Sequence, residues 1–170
     1  MANDKADGGY MTDAKAPTLD RVDGSSIRPL TREDLPCVME LELLGHSHPW
    51  TEGIFRDCFK DNYRVWACIH KDELVGYAII SYQFDEAHLL NVCVHPSFRG
   101  MGLGRKLLRH AITVAIEDDL ACMILEVRKS NRAAILLYRS EGFQQIGVRP
   151  KYYPGPSGGE DARVMELQFT

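Results

Sequence analysis

The period of apolar positions changes several times along this chain, and each change marks an element. Residues 1 to about 25 show almost no apolar periodicity and carry Gly8-Gly9 among scattered Asp and Lys. That is the pattern of a leader unable to bury enough surface to fold. The folded part, residues 26–170, is expected to open with a short strand at Ile27-Arg28-Pro29-Leu30. Thr31-Arg32-Glu33-Asp34 places a threonine three residues ahead of an acid, close to a capping box, so a helix follows. Leu35, Val38, Met39, Leu41, Glu42 and Leu43 give it a mostly apolar stripe through Leu44, and Gly45 ends it. After His46-Ser47-His48-Pro49-Trp50, Thr51 is the expected N-cap of a second short helix burying Ile54, Phe55, Cys58 and Phe59.

The period then drops to two. Val65, Ala67 and Ile69 alternate within Tyr63–His70; Lys71-Asp72-Glu73 is a polar turn; Val75, Tyr77, Ile79 and Ser81 alternate in the return strand to Tyr82. A turn at Phe84-Asp85-Glu86 leads to an apolar run from Ala87 to Val94. A loop with Gly100, Gly102 and Gly104 separates this run from a helix carrying Leu107, Ala111, Val114 and Ala115 to about Glu117. Cys122–Val127 is near-continuously apolar, as in a central strand covered by helices. Ser130 and Asn131 open a helix with Ala133, Ala134, Leu137 and Tyr138, ended by Gly142. Phe143–Val148 reads as a strand, Lys151–Gly159 as a Pro/Gly-rich loop, and Arg163–Phe169 as the closing strand. The order β-α-α-β-β-β-α-β-α-β-β predicts an α/β (α+β) fold, one domain with a mixed central sheet flanked by helices.

Composition narrows the classes. Hydrophobic content of 45% and charged content of 26% are ordinary for a globular domain. A net charge of −4 argues against a general grip on nucleic acid. No apolar run approaches the roughly 20 residues of a membrane span, and the polar N-terminus lacks a signal peptide's apolar centre, so a cytoplasmic location is expected. The five cysteines, Cys37, Cys58, Cys68, Cys93 and Cys122, are scattered without a C-x-x-C pair. They read as small buried hydrophobes, not as a disulfide frame or zinc site, and no metal is expected. Cys93 has no base at a telling spacing, so it too is read as core.

The glycine loop carries the first chemistry. A strand feeding a glycine turn that opens a helix offers backbone N–H groups and a positive dipole end to a phosphate. A Walker A loop is excluded because Gly104 is followed by Arg105-Lys106-Leu107. The dinucleotide fingerprint is excluded because Gly100-Met101-Gly102-Leu103-Gly104 spaces its glycines as G-x-G-x-G. What remains is Arg99-x-x-Gly102-x-Gly104. This resembles the acyl-CoA pyrophosphate loop of the GCN5-related N-acetyltransferase (GNAT) family, and the element order agrees from about Ile27 to Phe169.

The resemblance implies roles. Backbone N–H groups from about Gly100 to Lys106, through Met101, Gly102, Leu103, Gly104 and Arg105, would grip the pyrophosphate of acetyl-CoA, with Arg99 leading the loop. The strand edge at Val92, Cys93 and Val94 would pair with the pantetheine amides, where family members carry a bulge that splays this strand from the next. Leu125-Glu126-Val127-Arg128-x-Ser130-Asn131-x-Ala133-Ala134-Ile135-x-Leu137-Tyr138, then Gly142-Phe143, resemble the branch that acetylates protein N-termini, in the bacterial type acting on the N-terminal alanine of a small-subunit ribosomal protein. Pro49-Trp50-Thr51, Tyr152-Tyr153-Pro154 and Glu160-Asp161-Ala162 are further marks of that branch. The leader departs from it, since bacterial members mostly lack one.

By this resemblance Glu126 is the general base, Tyr138 donates a proton to the leaving CoA thiolate, and Asn131 bonds acetyl-CoA. Trp50, Tyr152 and Tyr153 would bound the acceptor site. The residues themselves support the roles and leave alternatives. Alternation sets Ile124, Glu126 and Arg128 on one strand face, and partial burial would lift a Glu pKa toward a useful base; pairing with Arg128 is the competing reading. Tyr138 lies two turns after Asn131 on the same helix face, and otherwise serves as a core tyrosine. Tyr152 and Tyr153 either bound an alanine-sized pocket from a flexible loop, or Tyr153 packs under the sheet. His46 and His48 read as surface histidines near the substrate mouth. An α-amine near pKa 7.7–8.0 needs only a weak base, whereas lysine near 10.4 asks for more. The expected partner is therefore a protein N-terminus, with a small amine, a lysine, or a silent acyl-CoA-binding module as rivals.

Overall fold

The structure, a computed structural model, describes residues 24–170; the expected leader falls almost wholly outside them. The chain runs through β1 (Ser25–Pro29), α1 (Leu35–Gly45), α2 (Glu52–Asp57), β2 (Tyr63–His70), β3 (Glu73–Gln83), β4 (Glu86–Val94), α3 (Leu103–Glu117), β5 (Cys122–Arg128), α4 (Arg132–Ser140), β6 (Gln144–Tyr153) and β7 (Glu160–Gln168). This is the element order read from the sequence. The seven strands form one sheet in the order β1-β2-β3-β4-β5-β7-β6. Only β4 and β5 run parallel; every other neighbouring pair is antiparallel. The sheet is mixed and helix-flanked, as expected.

Helices cover both faces. One core gathers Leu103, Leu107, Leu108 and Ala111 of α3 with Ile135 of α4 against Ala78, Ile80, Met123 and Met165 of the sheet. The other gathers Leu35, Val38 and Leu41 of α1 and Phe55 of α2 against Ala67, Tyr77 and Ile79. A sheet buried on both sides explains the near-continuous apolar runs of β3 and β5.

Several boundaries and faces differ from expectation. Thr31 caps a short 3-10 turn, Arg32–Asp34, ahead of α1, with the Asp34 carboxylate accepting from the Thr31 N–H at 2.8 Å. Leu43 and Leu44 are exposed, because α1 turns its Val38, Leu41 and Glu42 face to the sheet. Ile54 is exposed and Phe59 only partly buried, leaving Phe55 and Cys58 as the buried pair of α2. Val75 does not share a face with Tyr77 and Ile79: a register shift pairs Cys68 with Gly76 but Ile69 with Leu74, and the extra residue reverses the parity. Cys37 is exposed, while the other four cysteines are buried. β6 extends to Tyr153, so the Tyr152-Tyr153 pair ends a strand instead of riding a flexible loop; the loop proper is 154–159.

Candidate active site

The site begins where the middle of the sheet comes apart. β4 and β5 pair over Glu86–Leu89 and Cys122–Leu125, and there the pairing stops. Beyond it, Asn91 to Val94 remain paired to β3, and Glu126 to Arg128 to β7. The cause lies on β4: Ile79 pairs with Asn91 and Ile80 with Leu89, so Leu90 is an extra, bulged residue that bends the strand away. The bulge expected from the resemblance is present. A cleft of about 480 Å³ opens between the strands, lined among others by Leu90, Asn91, Val92, Glu126, Asn131 and Tyr138. One wall therefore carries a strand edge with unpaired backbone groups, open to an extended ligand.

β4 leads into the glycine loop. Gly100 (φ +78°) and Gly102 (φ +86°) both occupy the left-handed region, where a Cβ costs about 1–2 kcal/mol, so the local backbone needs glycine. Gly102 is the N-cap of α3. The N–H groups of Leu103, Gly104 and Arg105 fall in the first turn, where no intrahelical acceptor exists. The Lys106 N–H is already bonded to the Gly102 carbonyl at 3.0 Å, which ends the series one residue earlier than expected. The side chains turn elsewhere. Arg99 Nε donates to the Val94 carbonyl at 3.2 Å, Arg105 reaches Ser140 Oγ at 2.9 Å and Glu141, and Met101 packs on the core with buried Leu103. Cys93 is core, its thiol pushed up to about 11 by burial.

The opposite wall is built from side chains. Glu126, at the first unpaired position of β5, is 23% exposed and meets Arg149 Nε of β6 at 3.0 Å. Its partner is thus Arg149, not Arg128. Arg128 instead bonds the Pro154 carbonyl at 3.0 Å and Glu160 at 3.3 Å, and lies over the Tyr153 ring. Glu160 also accepts from the Ser130 N–H at 2.7 Å, which ties the 154–159 loop to the start of α4. The Tyr153 hydroxyl donates to the Glu126 carbonyl oxygen at 3.0 Å, and burial pushes it up to about 12. Tyr152 is raised by its hydrogen bond to the Glu126 carboxylate, then by burial. Tyr153 lines the cleft, so it bounds the open space as well as packing; Tyr152 is 47% exposed, is not among the lining residues, and reaches the site through Glu126.

Tyr138 lines the same cleft from α4, tilted against Phe143 with ring centroids 5.7 Å apart. Burial pushes its phenol up to about 12, so it is protonated at neutral pH. Asn131 also lines the cleft, and its Oδ1 caps α4 by accepting from Ala134 N–H at 3.1 Å. Trp50 completes the mouth, packed on Phe55 at 5.3 Å. His46 and His48 line it too. The glycine loop is not among the residues lining this cleft; it follows from the end of the β4 edge. Among the described residues no group of His, Cys, Asp or Glu is placed to hold a metal ion, and no described helix is long and apolar enough to cross a membrane.

Sequence reasoning missed the floor of the cleft. Glu42 is 1% exposed and accepts hydrogen bonds from the Trp50 N–H (2.9 Å), Asn91 Nδ2 (3.1 Å) and the Tyr77 hydroxyl, and its carboxylate stands 2.9 Å from His46 Nδ1 as an ion-pair contact. The signal was an acid inside the apolar stripe of α1, which had to be matched by donors if buried.

The sheet opens between two parallel strands and sets a free strand edge across one cleft from a carboxylate and a phenol, which together with its relatives makes the chain an N-acetyltransferase. The chain belongs to the acetyltransferase (GNAT) family, whose sequence profile matches residues 27–143. It is 38% identical over 146 residues to the [ribosomal protein bS18]-alanine N-acetyltransferase of Escherichia coli K12, covering 86% of this chain and 99% of that one. It is 34% identical over 132 residues to the enzyme of that name from Haemophilus influenzae, covering 78% and 90%. The crystal structure of the E. coli ribosomal-protein-S18-alanine N-acetyltransferase superposes with a TM-score of 0.82 at 37% identity, covering 86% and 94%. A GNAT acetyltransferase from Elizabethkingia anophelis with acetyl-CoA bound shares the fold, with a TM-score of 0.73 at 20% identity, covering 86% and 99%.

Proposed function

We propose that this protein is a cytoplasmic, acetyl-CoA-dependent N-acetyltransferase that acetylates the N-terminal alanine of the small-subunit ribosomal protein bS18. The observation that carries the reading is the splayed β4–β5 seam with Glu126 and Tyr138 on one cleft, in a chain that matches nearly the full length of enzymes with that activity. The residues present fit the donor: two left-handed glycines ahead of a helix N-terminus suit a pyrophosphate, and the free edge of Val92–Val94 suits amides. When bound, acetyl-CoA supplies an activated acetyl group as a thioester.

The chain's own residues then do three things. The N–H groups from Gly100 to Arg105 and the β4 edge would hold the donor, the loop at its pyrophosphate and the edge at its amides. Glu126 takes a proton from the acceptor nitrogen, directly or through one water, with Arg149 and Tyr152 fixing its carboxylate. Tyr138, kept protonated by burial, gives its proton to the departing sulfur. Against a thiol near 8.5 the raised phenol makes this donation more uphill than an ordinary tyrosine, so it comes late, as the C–S bond parts. Trp50, Tyr152 and Tyr153 bound the acceptor, a protein N-terminus; neither nucleic acid nor membrane is part of the proposed site.

The test is intact-mass analysis of ribosomal proteins incubated with enzyme and acetyl-CoA. One added acetyl group on a single small-subunit protein is expected, with N-terminal alanine hexapeptides preferred over free polyamines. Turnover of polyamines alone would replace the acceptor, and binding of CoA without turnover of any amine would replace the activity.

A further inference from the structure

A buried carboxylate costs several kcal/mol unless its oxygens are matched, and Glu42 is met by three hydrogen-bond donors, from β3, β4 and the chain after α1, and by His46, the residue that follows the helix. Asn91, Trp50 and His46 all line the cleft, but of the groups on Glu42 only the His46 imidazole combines a nitrogen able to take up a proton with 36% of its side-chain surface open. Burial is the largest influence on the Glu42 carboxyl and would raise it. The bonds from His46, Tyr77 and the Trp50 N–H together outweigh burial and hold it below the usual range. An ionised carboxylate only accepts, so His46 Nδ1 carries the proton, and in the neutral ring the lone pair stands on Nε2.

We propose that His46, oriented by Glu42, removes the first proton from the acceptor's ammonium group; the proposal rests on the N-acetyltransferase reading given above. Acetylating an ammonium takes two protons from one nitrogen. In the first step an N–H bond of the ammonium breaks, its electron pair stays on nitrogen, and Nε2 bonds the proton. The resulting imidazolium is stabilised by Glu42 and releases the proton to water. The second proton leaves once nitrogen has bonded the acetyl carbon and goes to Glu126, while Tyr138 protonates the leaving sulfur. The net reaction gives acetylamide, CoA thiol and one proton to solvent. An α-ammonium near 7.7–8.0 is acidic enough for a weak nitrogen base to take its proton.

The other groups around the ring leave it this role. Behind it Tyr77 and Cys93 are held protonated by burial, Cys93 at about 11, with Arg99 beside that thiol. His48 is bonded to Ser47 Oγ at 3.1 Å. Across the cleft stand Glu126, engaged by Arg149, Arg128, engaged by Glu160, and Tyr138.

The experiment compares wild type, His46→Ala and His46→Gln on an alanine-initiated hexapeptide with saturating acetyl-CoA, from pH 6 to 9. Both variants should lose up to about tenfold in kcat/KM for the peptide at pH 7, where about a tenth of the amine is neutral, and the deficit should shrink toward pH 9, where most of it is. Added imidazole should restore most of the His46→Ala loss at pH 7, with acetyl-CoA affinity by calorimetry unchanged. Wild-type activity in both variants, or a deficit equal at every pH and blind to imidazole, would overturn the proposal while leaving the acetyltransferase reading intact. Failure of the wild type on every peptide would instead overturn that reading, and this proposal with it.

Discussion

The two ends of the cleft are made of different material. The end proposed to hold the donor is backbone: the unpaired edge of β4, two glycines in left-handed conformation and the first turn of α3. Its charged side chains are spent on other contacts, Arg99 on the Val94 carbonyl and Arg105 on Ser140 and Glu141. The end proposed to hold the acceptor is side chain: Glu42 and His46 from α1 and the residue after it, Glu126 from β5, Tyr138 from α4, Arg149 and Tyr152 from β6. Backbone donors are indifferent to side-chain identity and tolerate variation everywhere except where φ is positive. A side-chain site depends on each residue and on the packing that aims it. The donor end should therefore fail gradually and through affinity, the acceptor end abruptly and through turnover.

Substitutions put that contrast at risk, from the largest expected effect downward. Glu126→Gln keeps the shape of the side chain and removes its basicity; kcat should fall by about 10²–10⁴ while acetyl-CoA affinity measured by calorimetry stays as it was. Glu42→Ala strands the Tyr77 hydroxyl, the Asn91 amide and the Trp50 N–H in the core. A loss of about 3–5 kcal/mol in denaturant unfolding is expected, and a loss under about 1 kcal/mol would show that the network is not load-carrying in the fold. Tyr138→Phe preserves the ring against Phe143 and removes the hydroxyl; kcat should drop about 10²-fold with Tm nearly unchanged. Gly102→Ala places a Cβ at φ +86°, a strain of about 1–2 kcal/mol, so KM for acetyl-CoA should rise roughly tenfold with kcat at saturation preserved. A fall in kcat in that last variant would mean that the loop positions the reacting carbon as well as anchoring the donor.

The same contrast explains what could be read from the chain. A backbone site would be contiguous, so Arg99 to Arg105 stood out through its glycine spacing together with the element order, while the bulge came only from the resemblance. The element order was legible because apolar period separates strands from helices. Faces were less legible: the parity change at Val75 depends on one unpaired residue, and the length of β6 on pairing between Tyr153 and Glu160 that no local pattern encodes. The acceptor end joins residues as far apart as Glu42 and Asn91, or Glu126 and Arg149. Glu42 was visible only as an acid in an apolar stripe. Arg128 was the nearer candidate partner for Glu126, but Tyr153, Pro154 and Glu160 claim it first.

The seam between β4 and β5 has a consequence for what can pair with its strands. Four residue pairs, Glu86–Leu89 with Cys122–Leu125, join the two halves of the sheet, and past them each half presents a raw strand margin. Such a margin on an outer strand invites pairing with another chain. Here both margins face each other across a gap closed at one end, with α1 and α4 bearing on its rim. A second folded sheet cannot enter, whereas a single slender, extended molecule can. The shape proposed to admit the substrate also shields both margins from pairing with another sheet.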